Sequence, residues 1–475
     1  MVLLPLPPLL PLLLLLLLAP LCGATAPPAV SDVWPLPALF SRGNESLALA
    51  AGFAIACDAA SPSPCPDPLP AAFARYAAPG GPLLVGGTPP GGAGGLALLT
   101  VSVARAAALA PLDSVADEAY VLVVPGAAAA AAGAPATIAA ATQWGALRGL
   151  ESFAQLVAWG GPDDAEAYRV TCAPARVEDA PRFPVRGVLI DTSFNFLTVP
   201  RILDVLDSMA VMKANVLHWH ALDDPAWPMQ TTSFPGFTAP GSSGPYASVA
   251  VYSLEDQARV ARYAWERGVA ILIEYDVPGH SAAWGANGAD SSLVVSCGGG
   301  HQTLINPVGE PGEPGTFYDA LAQLAGEFGA RIGAAGLGGA PLLPWVHLGG
   351  DEVTDYTCWL NSSAVQAWAR SINVSGSDAR ALRAAFTERV QRVAAAANLT
   401  AMFWEESVSR PGLSAATARS PLTGNGNNPR SRAAPAQHTY ANPRAVHGRL
   451  WRRARVDRHP LGSRGRGQDG CGGWT

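Results

Sequence analysis

The spacing of apolar and polar positions changes near residue 181. After Pro181, short apolar runs of strand character alternate with stretches of helical spacing, which is typical of parallel strands covered by helices. The predicted strands are 186–191, 214–220, 269–276, 345–350 and 401–404, and the predicted helices are 199–212, 254–267, 318–328 and 375–397. Each strand ends in polar or aromatic side chains. Because ligand groups of a (β/α) barrel lie at the carboxyl ends of its strands, this pattern predicts one shared pocket.

The chain before residue 181 is rich in Ala, Gly and Pro and has a different pattern. Short apolar runs predict strands at 83–85, 96–103 and 120–124, and residues 144–157 have apolar positions at helical spacing. The alanine run 127–132 predicts a loop or a frayed helix. We therefore expect a small α+β domain over residues 27–178, followed by a (β/α) barrel over 182–410.

The first 26 residues have the composition of a secretory signal peptide. A leucine-rich run leads into Gly23-Ala24-Thr25-Ala26, a small-residue pattern typical of signal peptidase sites. An uncleaved anchor stays open, because no Lys or Arg precedes the run and its length is close to the roughly 20 residues that span a bilayer. No later segment predicts a membrane span. The sequence therefore predicts the secretory pathway, with the lysosome, vacuole or extracellular space as destination.

Charge is spread unevenly along the chain. The net charge of -6 divides into -15 over residues 1–410 and +9 over 411–475, a segment that contains 11 arginines and two aspartates. An acidic body argues against nucleic acid as a partner, although the basic tail leaves that alternative open. The strand and helix pattern stops near residue 407, so the tail is predicted to be disordered or aberrant. Since a barrel needs about eight strands and five are predicted, the barrel is expected to be incomplete at its carboxyl end.

The hexapeptide from His347 to Glu352 is the strongest candidate for chemistry. It is an apolar run that ends in two glycines and then two adjacent carboxylates, Asp351 and Glu352. Glycine lets backbone and ligand approach closely, and paired carboxyl groups in different environments can separate acid and base roles. Taken alone, the same residues are also compatible with a solvated turn after a strand. The cysteines show no CxxC spacing, so no metal site is predicted.

Several motifs in the same order together resemble those of glycoside hydrolase family 20, the β-N-acetylhexosaminidases. In the first half they are Val33-Trp34-Pro35-Leu36-Pro37, Asp117-Glu118-Ala119-Tyr120 and Gly145-Ala146-Leu147-Arg148-Gly149-Leu150-Glu151. In the second half they are Phe183-Pro184-Val185-Arg186-Gly187, Asn215-Val216-Leu217-His218-Trp219-His220, Glu274-Tyr275-Asp276-Val277-Pro278-Gly279-His280 and the hexapeptide. The resemblance spans roughly residues 33–407. It implies a (β/α)8 barrel of the TIM type preceded by a small α+β domain.

The resemblance also implies an activity and two catalytic residues. It predicts a retaining exo-β-N-acetylhexosaminidase that removes terminal N-acetylglucosamine or N-acetylgalactosamine from glycoconjugates or chitin oligosaccharides. Glu352 is predicted to be the general acid, and Asp351 is predicted to orient the substrate's 2-acetamido group, whose carbonyl oxygen attacks the anomeric carbon. Neighbours in an extended chain point in different directions, so these two residues are poorly arranged to flank one bond. No cofactor and no metal are expected.

Further site residues follow from the same resemblance. Arg186 is predicted to clamp the sugar hydroxyls, with a structural ion pair as the alternative, and Trp404 is predicted to form an aromatic wall. Asp223 and His280 are predicted to be substrate-binding residues that also support the site, and Asp276 and Glu406 are predicted to support it. His218 and His220 are weaker candidates that could instead be satisfied core groups. The resemblance also implies a disulfide between Cys297 and Cys358 and, less securely, one between Cys57 and Cys65.

The chain also departs from the family pattern. Phe194-Asn195-Phe196 stand where the family commonly has a basic residue, His and an aromatic residue. No counterpart is found of the family's later tyrosine, tryptophan and glutamate that contact the sugar. A truncated, catalytically inactive sugar-binding relative is therefore the alternative to an active enzyme. Family members often dimerise, which makes a homodimer possible.

Overall fold

The computed structural model describes residues 32–87, 90, 94–107, 115–161, 163, 168–238, 250–286, 291–335 and 345–409. The predicted signal peptide and the predicted tail 411–475 lie outside these residues. Among the described helices, none has the length and apolar character that a membrane crossing requires.

A six-stranded mixed sheet is formed by the first part of the chain. Its strands are β1 (Leu39–Cys57), β2 (Leu96–Val103), β3 (Tyr120–Val124), β4 (Ala136–Ala140), β5 (Val157–Trp159) and β6 (Tyr168–Asp179), in the order β1-β2-β4-β3-β6-β5, and β1 also pairs with β6. Its helices are α1 (Leu69–Ala77), α2 (Ala127–Ala131) and α3 (Gln143–Leu156). The predicted strands 96–103 and 120–124 and the predicted helix near 144–157 are thereby confirmed.

Alternating burial explains how α3 packs on this sheet. Leu99 and Val101 on β2, Leu122 on β3 and Ile138 on β4 are fully buried, and they share a core with Leu150 of α3. The helix begins at a polar cap, because the side chain of Thr142 accepts the backbone N–H of Trp144. The predicted strand 83–85 is wrong. That segment forms a single bridge, between Pro79 and Leu84, rather than a strand.

A five-stranded parallel sheet is formed by the second part. Its strands β7 (Gly187–Asp191), β8 (Val216–Leu222), β9 (Ala270–Tyr275), β12 (Trp345–His347) and β13 (Thr400–Met402) lie in the order of the sequence. The intervening helices are α4 (Val199–Val211), α5 (Leu254–Trp265), α6 (Phe317–Ala335), α7 (Thr357–Asn361), α8 (Ser363–Ser371) and α9 (Ala379–Ala396). A short hairpin, β10 (Val294–Val295) and β11 (Leu304–Ile305), precedes α6, and α10 (Glu405–Ser409) follows β13. All five predicted strands and all four predicted helices of this half are present.

The inner strands of the parallel sheet are buried on both faces, as expected for strands covered by helices. Every residue of β8 and of β9 is buried. The edge strand β7 differs, since Leu189 in its centre is 44% exposed. Among the described residues the sheet has five strands, so the mixed α/β class is confirmed and closure into an eight-stranded barrel stays a prediction.

A buried ionic cluster joins the two parts of the chain. Glu118, just before β3, lies 2.7 Å from Arg148 of α3 and 2.7 Å from Arg186, which precedes β7. Asn215, just before β8, also donates to Glu118, at 3.3 Å. Burial alone would raise the pKa of Glu118, but the two guanidinium groups outweigh burial and lower it. The ionised carboxylate therefore fixes the first sheet to the amino ends of β7 and β8.

We expect Glu118→Ala to lower the free energy of unfolding by about 3 to 5 kcal/mol, because it leaves two guanidinium groups without their buried partner. Urea denaturation of the purified protein measures this. The control is Asp204→Ala, which breaks the exposed Arg201–Asp204 pair on α4, where the side chains are 76% and 64% exposed. That change is expected to cost less than about 1 kcal/mol. Equal effects of the two variants would contradict the importance of the cluster.

Candidate active site

Strand register brings three polar side chains together in the middle of the parallel sheet. His220 on β8 pairs with Glu274 on β9, and Glu274 pairs in turn with His347 on β12. Side chains at paired positions of neighbouring strands point to the same face. His218 shares that face because it lies two residues before His220, while Trp219 points to the other face.

Glu274 is the centre of this group and is fully buried. Its Oε2 lies 2.7 Å from Nε2 of His218 and 3.1 Å from Nδ1 of His220. Its Oε1 lies 3.0 Å from Nδ1 of His347 and accepts the indole N–H of Trp404 at 2.9 Å. One carboxylate therefore contacts side chains from β8, β12 and the segment after β13.

The charges in this group follow from its contacts. Burial would raise the pKa of Glu274, but the neighbouring imidazoles outweigh burial and hold the pKa well below its ordinary value. Burial would lower the pKa of His220, but Asp223 and Glu274 raise it to about 11. For His218 burial dominates and lowers the pKa. The group therefore contains a carboxylate, one firmly protonated imidazole and one neutral imidazole.

The contacts continue from His220 toward the loop after β9. Nε2 of His220 lies 3.1 Å from Oδ2 of Asp223, and the other oxygen of Asp223 lies 3.0 Å from Nδ1 of His280. The hydrogen bond to Asp223 raises the pKa of His280 to about 9. Both predicted supporting residues, Asp223 and His280, thus lie in one hydrogen-bonded chain with His220.

Two glycines shape the loop that carries the adjacent carboxyl groups. Gly349 and Gly350 have φ values of +56° and +89°, in the left-handed region that favours glycine. A Cβ on Gly349 would collide with Oδ1 of Asp276, and a Cβ on Gly350 would collide with Oγ of Ser407. The strand β12 ends at His347, three residues earlier than predicted, so Asp351 and Glu352 lie on a tight loop.

Asp351 faces the buried Asp276, whose Oδ1 accepts the backbone N–H of Gly350 at 2.7 Å. Burial is the largest cause that raises the pKa of Asp276 and of Asp351. For Asp276, neighbouring carboxylates raise the pKa further. Oδ1 of Asp351 is buried and has no hydrogen-bond partner among the described residues. The described residues therefore leave the hydrogen-bonding capacity of this oxygen unused.

Glu352 has a different environment from its neighbour. Its backbone has a φ of +53°, its side chain is exposed, and its N–H donates to Oε2 of Glu406 at 2.7 Å. Behind it, Nη2 of the buried Arg383 donates to the carbonyl oxygen of Glu406 at 2.6 Å and to Oγ of Ser407 at 3.0 Å. Asp351 and Glu352 are neighbours in the sequence, but their environments differ in the structure. Asp351 lies beside the buried carboxyl group of Asp276, whereas the side chain of Glu352 is exposed.

Trp404 lies against the histidines of the same group. Its ring stacks on His218 with centroids 5.4 Å apart and meets His347 edge to face at 4.7 Å. Its backbone N–H donates to the carbonyl oxygen of Gly349. The indole therefore forms one side of the region that contains Glu274 and the glycine loop.

Arg186, by contrast, is not brought to this group. It precedes the first residue of β7, at the amino end of the sheet, whereas the groups above lie at or beyond the carboxyl ends. Its guanidinium donates to both oxygens of Glu118 and to the carbonyl oxygens of Lys213 and Phe183. These are the contacts of a structural ion pair, the alternative that the sequence analysis left open. Arg186 is therefore not part of the candidate site. At the carboxyl end of β7 stands Phe194, which is 58% exposed.

Two disulfides are present among the described residues. Cys297 and Cys358 join the segment after β10 to α7, with Cα atoms 5.3 Å apart, and Cys57 joins Cys65 at the end of β1. Cys358 lies seven residues after Asp351, so the first disulfide ties the chain downstream of the carboxyl pair to another loop. The pairings are those that the family resemblance implies.

Some of these side chains belong to residue types that can bind metal cations. In the sets His218, Glu274, His347 and Asp276, His280, Asp351, one possible ligand atom from each residue lies within 4.8 Å of the others. In the first set the nitrogen of His218 lies 2.7 Å and that of His347 3.0 Å from an oxygen of Glu274, which are hydrogen-bond distances. The expectation that no metal is required stays a prediction.

Sequence reasoning assigned no role to Glu274 or His347. The available signal was a charged residue in the strand Ala270–Tyr275, whose other members are four aliphatic residues and a tyrosine. A carboxylate is almost never fully buried without partners, so its position alone predicted buried cations or donors nearby. His218 and His220, named as weak candidates, are two of these partners.

Comparison with known proteins identifies the family. Residues 183–423 match the model for the catalytic domain of glycosyl hydrolase family 20, and residues 93–156 match a model described as beta-acetyl hexosaminidase like. The chain belongs to glycosyl hydrolase family 20. The resemblance inferred from the motifs is therefore confirmed.

Individual relatives of this family 20 chain agree. Beta-hexosaminidase subunit alpha of Bos taurus is 35% identical over 267 residues, which cover 56% of this chain and 46% of that protein. Beta-hexosaminidase 3 of Arabidopsis thaliana is 30% identical over 377 residues, which cover 79% of this chain and 65% of that protein. The chain spans about half the length of the curated relatives it matches.

Solved structures of family 20 share the fold. The exo-β-N-acetylglucosaminidase of Vibrio harveyi in complex with N-acetylglucosamine matches with a TM-score of 0.60 and 21% identity, over 81% of this chain and 56% of that one. The β-N-acetylhexosaminidase of Bacteroides fragilis matches with a TM-score of 0.59 and 19% identity, over 80% and 68%. At these identities the likeness concerns the fold alone.

We expect Gly349→Ala to lower the free energy of unfolding by about 2 to 5 kcal/mol, from the collision with Asp276 and the left-handed backbone. The matched control is Gly312→Ala, since Gly312 has a φ of +88° but open space around its Cβ position. The control retains only the backbone cost of about 1 to 2 kcal/mol. Thermal and urea unfolding of both variants measure the difference, and equal losses would contradict the packing of Gly349 on Asp276.

Proposed function

We propose that this family 20 chain is a retaining exo-β-N-acetylhexosaminidase that hydrolyses terminal N-acetylglucosamine or N-acetylgalactosamine from glycoconjugates or chitin oligosaccharides. The observation that carries the proposal is the contrast between two adjacent carboxyl groups. Asp351 lies against the buried Asp276, while Glu352 is exposed and turned by a φ of +53°. Most glycosidases need two carboxyl groups on opposite sides of the scissile bond, but substrate-assisted families need only one there.

In this proposal the two carboxyl groups have separate tasks. Glu352 donates a proton to the leaving oxygen. Asp351, whose Oδ1 has no partner among the described residues, accepts the N–H of the substrate's 2-acetamido group and orients its carbonyl oxygen for attack on the anomeric carbon. The attack gives a cyclic intermediate, and water then opens this intermediate with overall retention. Glu352 acts as the base in that second step.

Other residues are proposed to bind the sugar or support the acid. Trp404 offers an aromatic face for the acetamido methyl group, and its indole N–H is already held by Glu274. Glu406 accepts the backbone N–H of Glu352 and so holds in place the loop that carries the proposed acid. His280 and Asp276 lie on the other side of the loop, beside Asp351.

The domain division and the location are part of the same proposal. Residues 27–178 form the accessory α+β domain and residues 182–410 the catalytic half, whose strands β7 to β13 are an arc of a (β/α)8 barrel. Two disulfides support folding in an oxidising compartment, which agrees with a signal peptide at 1–26 and a lysosomal or extracellular destination.

A sugar-binding relative without activity is the second candidate. Its support is the exposure of Leu189 on β7, the edge strand of the five-stranded sheet that the described residues form. It shares Asp351 and Trp404 as sugar contacts. The two candidates differ in turnover, not in binding.

Turnover is tested with 4-nitrophenyl N-acetyl-β-glucosaminide and purified full-length protein. We expect Glu352→Gln to lower kcat/KM by about 100-fold or more, because the neutral amide can neither protonate the leaving oxygen nor act as the base toward water in the second step. The matched control is Glu388→Gln, an exposed carboxylate on α9, which is expected to leave kcat/KM unchanged. A wild-type rate equal to that of Glu352→Gln, with N-acetylglucosamine still binding in calorimetry, would favour the inactive relative.

A further inference from the structure

An unbroken chain of four side chains runs from the centre of the sheet to the glycine loop. It consists of Glu274, His220, Asp223 and His280, joined by contacts of 3.1, 3.1 and 3.0 Å. Carboxylates and imidazoles alternate along it. Glu274 is fully buried, and His220 and Asp223 are 9% and 3% exposed, so water does not interrupt the chain.

The geometry of His220 fixes its protonation. Nδ1 faces a carboxylate oxygen of Glu274, and Nε2 faces a carboxylate oxygen of Asp223. An ionised carboxylate only accepts hydrogen bonds, so both ring nitrogens must donate, and a ring that donates from both nitrogens is an imidazolium. The raised pKa of His220, about 11, agrees with this assignment.

The orientation of His280 follows from the next link. One oxygen of Asp223 is occupied by the His220 cation, and the other accepts from Nδ1 of His280. The ring of His280 is thereby held with its Nδ1 proton directed at Asp223. Its Nε2 is buried and has no hydrogen-bond partner among the described residues, and the His280 side chain lies in one cluster with Asp276 and Asp351.

We propose that Glu274 is a positioning residue, which orients His280 beside the carboxyl pair through the His220 cation and Asp223. The inference rests on the proposed function for its catalytic consequence, while the orientation itself is a property of the fold. Glu274 reaches no ligand, because its two oxygens are taken up by His218, His220, His347 and Trp404.

The charged groups around this chain come from four segments. These titratable groups are His218, His220, Asp223 and Asp224 from β8 and its end; Glu274, Asp276 and His280 from β9 and its end; His347 from β12; and Asp351 from the glycine loop. Of these, only Glu274 and Asp223 contact His220 directly as anions. Removing the charge of Glu274 therefore removes one of the two anions that stabilise the two ring protons of His220.

Glu274→Gln tests this with a side chain of nearly the same size. The amide nitrogen must replace Oε1 or Oε2. At the position of Oε1 the amide nitrogen would face the indole N–H of Trp404, which can only donate a hydrogen bond. The amide nitrogen therefore takes the position of Oε2, beside His220 and His218. His220 must then release its Nδ1 proton, and the pKa of His220 falls.

The measurement is histidine NMR on isotope-labelled full-length protein, with His220→Gln and His280→Gln used to assign the signals. In the wild type we expect His220 to stay doubly protonated from about pH 5 to about pH 9, beyond the range of an ordinary histidine. In Glu274→Gln we expect His220 to titrate within that range and the Nδ1–H signal of His280 to shift or vanish. Glu274→Asp, which keeps the charge, should retain the doubly protonated His220.

Kinetics on the same variants measure the catalytic consequence. We expect Glu274→Gln to lower kcat for the nitrophenyl substrate by about 100-fold with little change in KM, because a small displacement at the reacting groups has that effect. Glu274→Asp should recover part of kcat. The matched control is Glu151→Gln, a carboxyl group that is 4% exposed on α3 and is hydrogen-bonded to Tyr76, and it should leave both His signals and kcat unchanged.

The inference is overturned if wild-type His220 titrates as an ordinary histidine, if Glu274→Gln leaves the His280 signal in place, or if Glu151→Gln moves the His signals equally. Failure of the proposed function has a different signature. In that case wild type and Glu352→Gln would both lack turnover, while the histidine signals would still decide whether Glu274 positions His280.

Discussion

The whole candidate site depends on one buried carboxylate, that of Glu274, and on the cations and donors that compensate it. A charge in the centre of a fully buried strand is strongly unfavourable unless neighbouring strands supply partners. His220 and His347 do so because strand register places them directly beside Glu274. A shift of either neighbouring strand by one residue would turn its histidine to the opposite face. The requirement to compensate this charge therefore constrains the register of β8, β9 and β12 together.

Fixed register has a consequence for the chemistry. The carboxyl ends of the three strands are held at one level, so the loop after β12 must turn sharply beside Asp276, and glycines at 349 and 350 permit that turn. The turn separates two neighbours in the sequence, because it places Asp351 against the buried Asp276 and leaves the side chain of Glu352 exposed. The two groups differ in exposure and in their neighbours. This difference suits the separate roles proposed above, in which the substrate's own amide supplies the nucleophile.

Much of the catalytic half could be predicted from sequence, because apolar runs of strand length alternate there with helical spacing. The first sheet was harder. The strand Leu39–Cys57 mixes charged, glycine and alanine residues and pairs with two different strands, so no simple period marks it. Arg186 was misassigned because its motif shows that the residue matters but not at which end of the strand it lies. The role of Glu274 depends on contacts across strands, which no local pattern encodes.

The most direct test of participation by the substrate's amide varies the amide itself. The rate constant kcat/KM would be measured for 4-nitrophenyl β-glucosaminides whose N-acyl group is acetyl, fluoroacetyl, difluoroacetyl or trifluoroacetyl. Each fluorine withdraws electrons from the carbonyl oxygen while changing its size little. If that oxygen attacks the anomeric carbon, kcat/KM falls steeply along the series. Equal kcat/KM values for all four substrates would contradict the account.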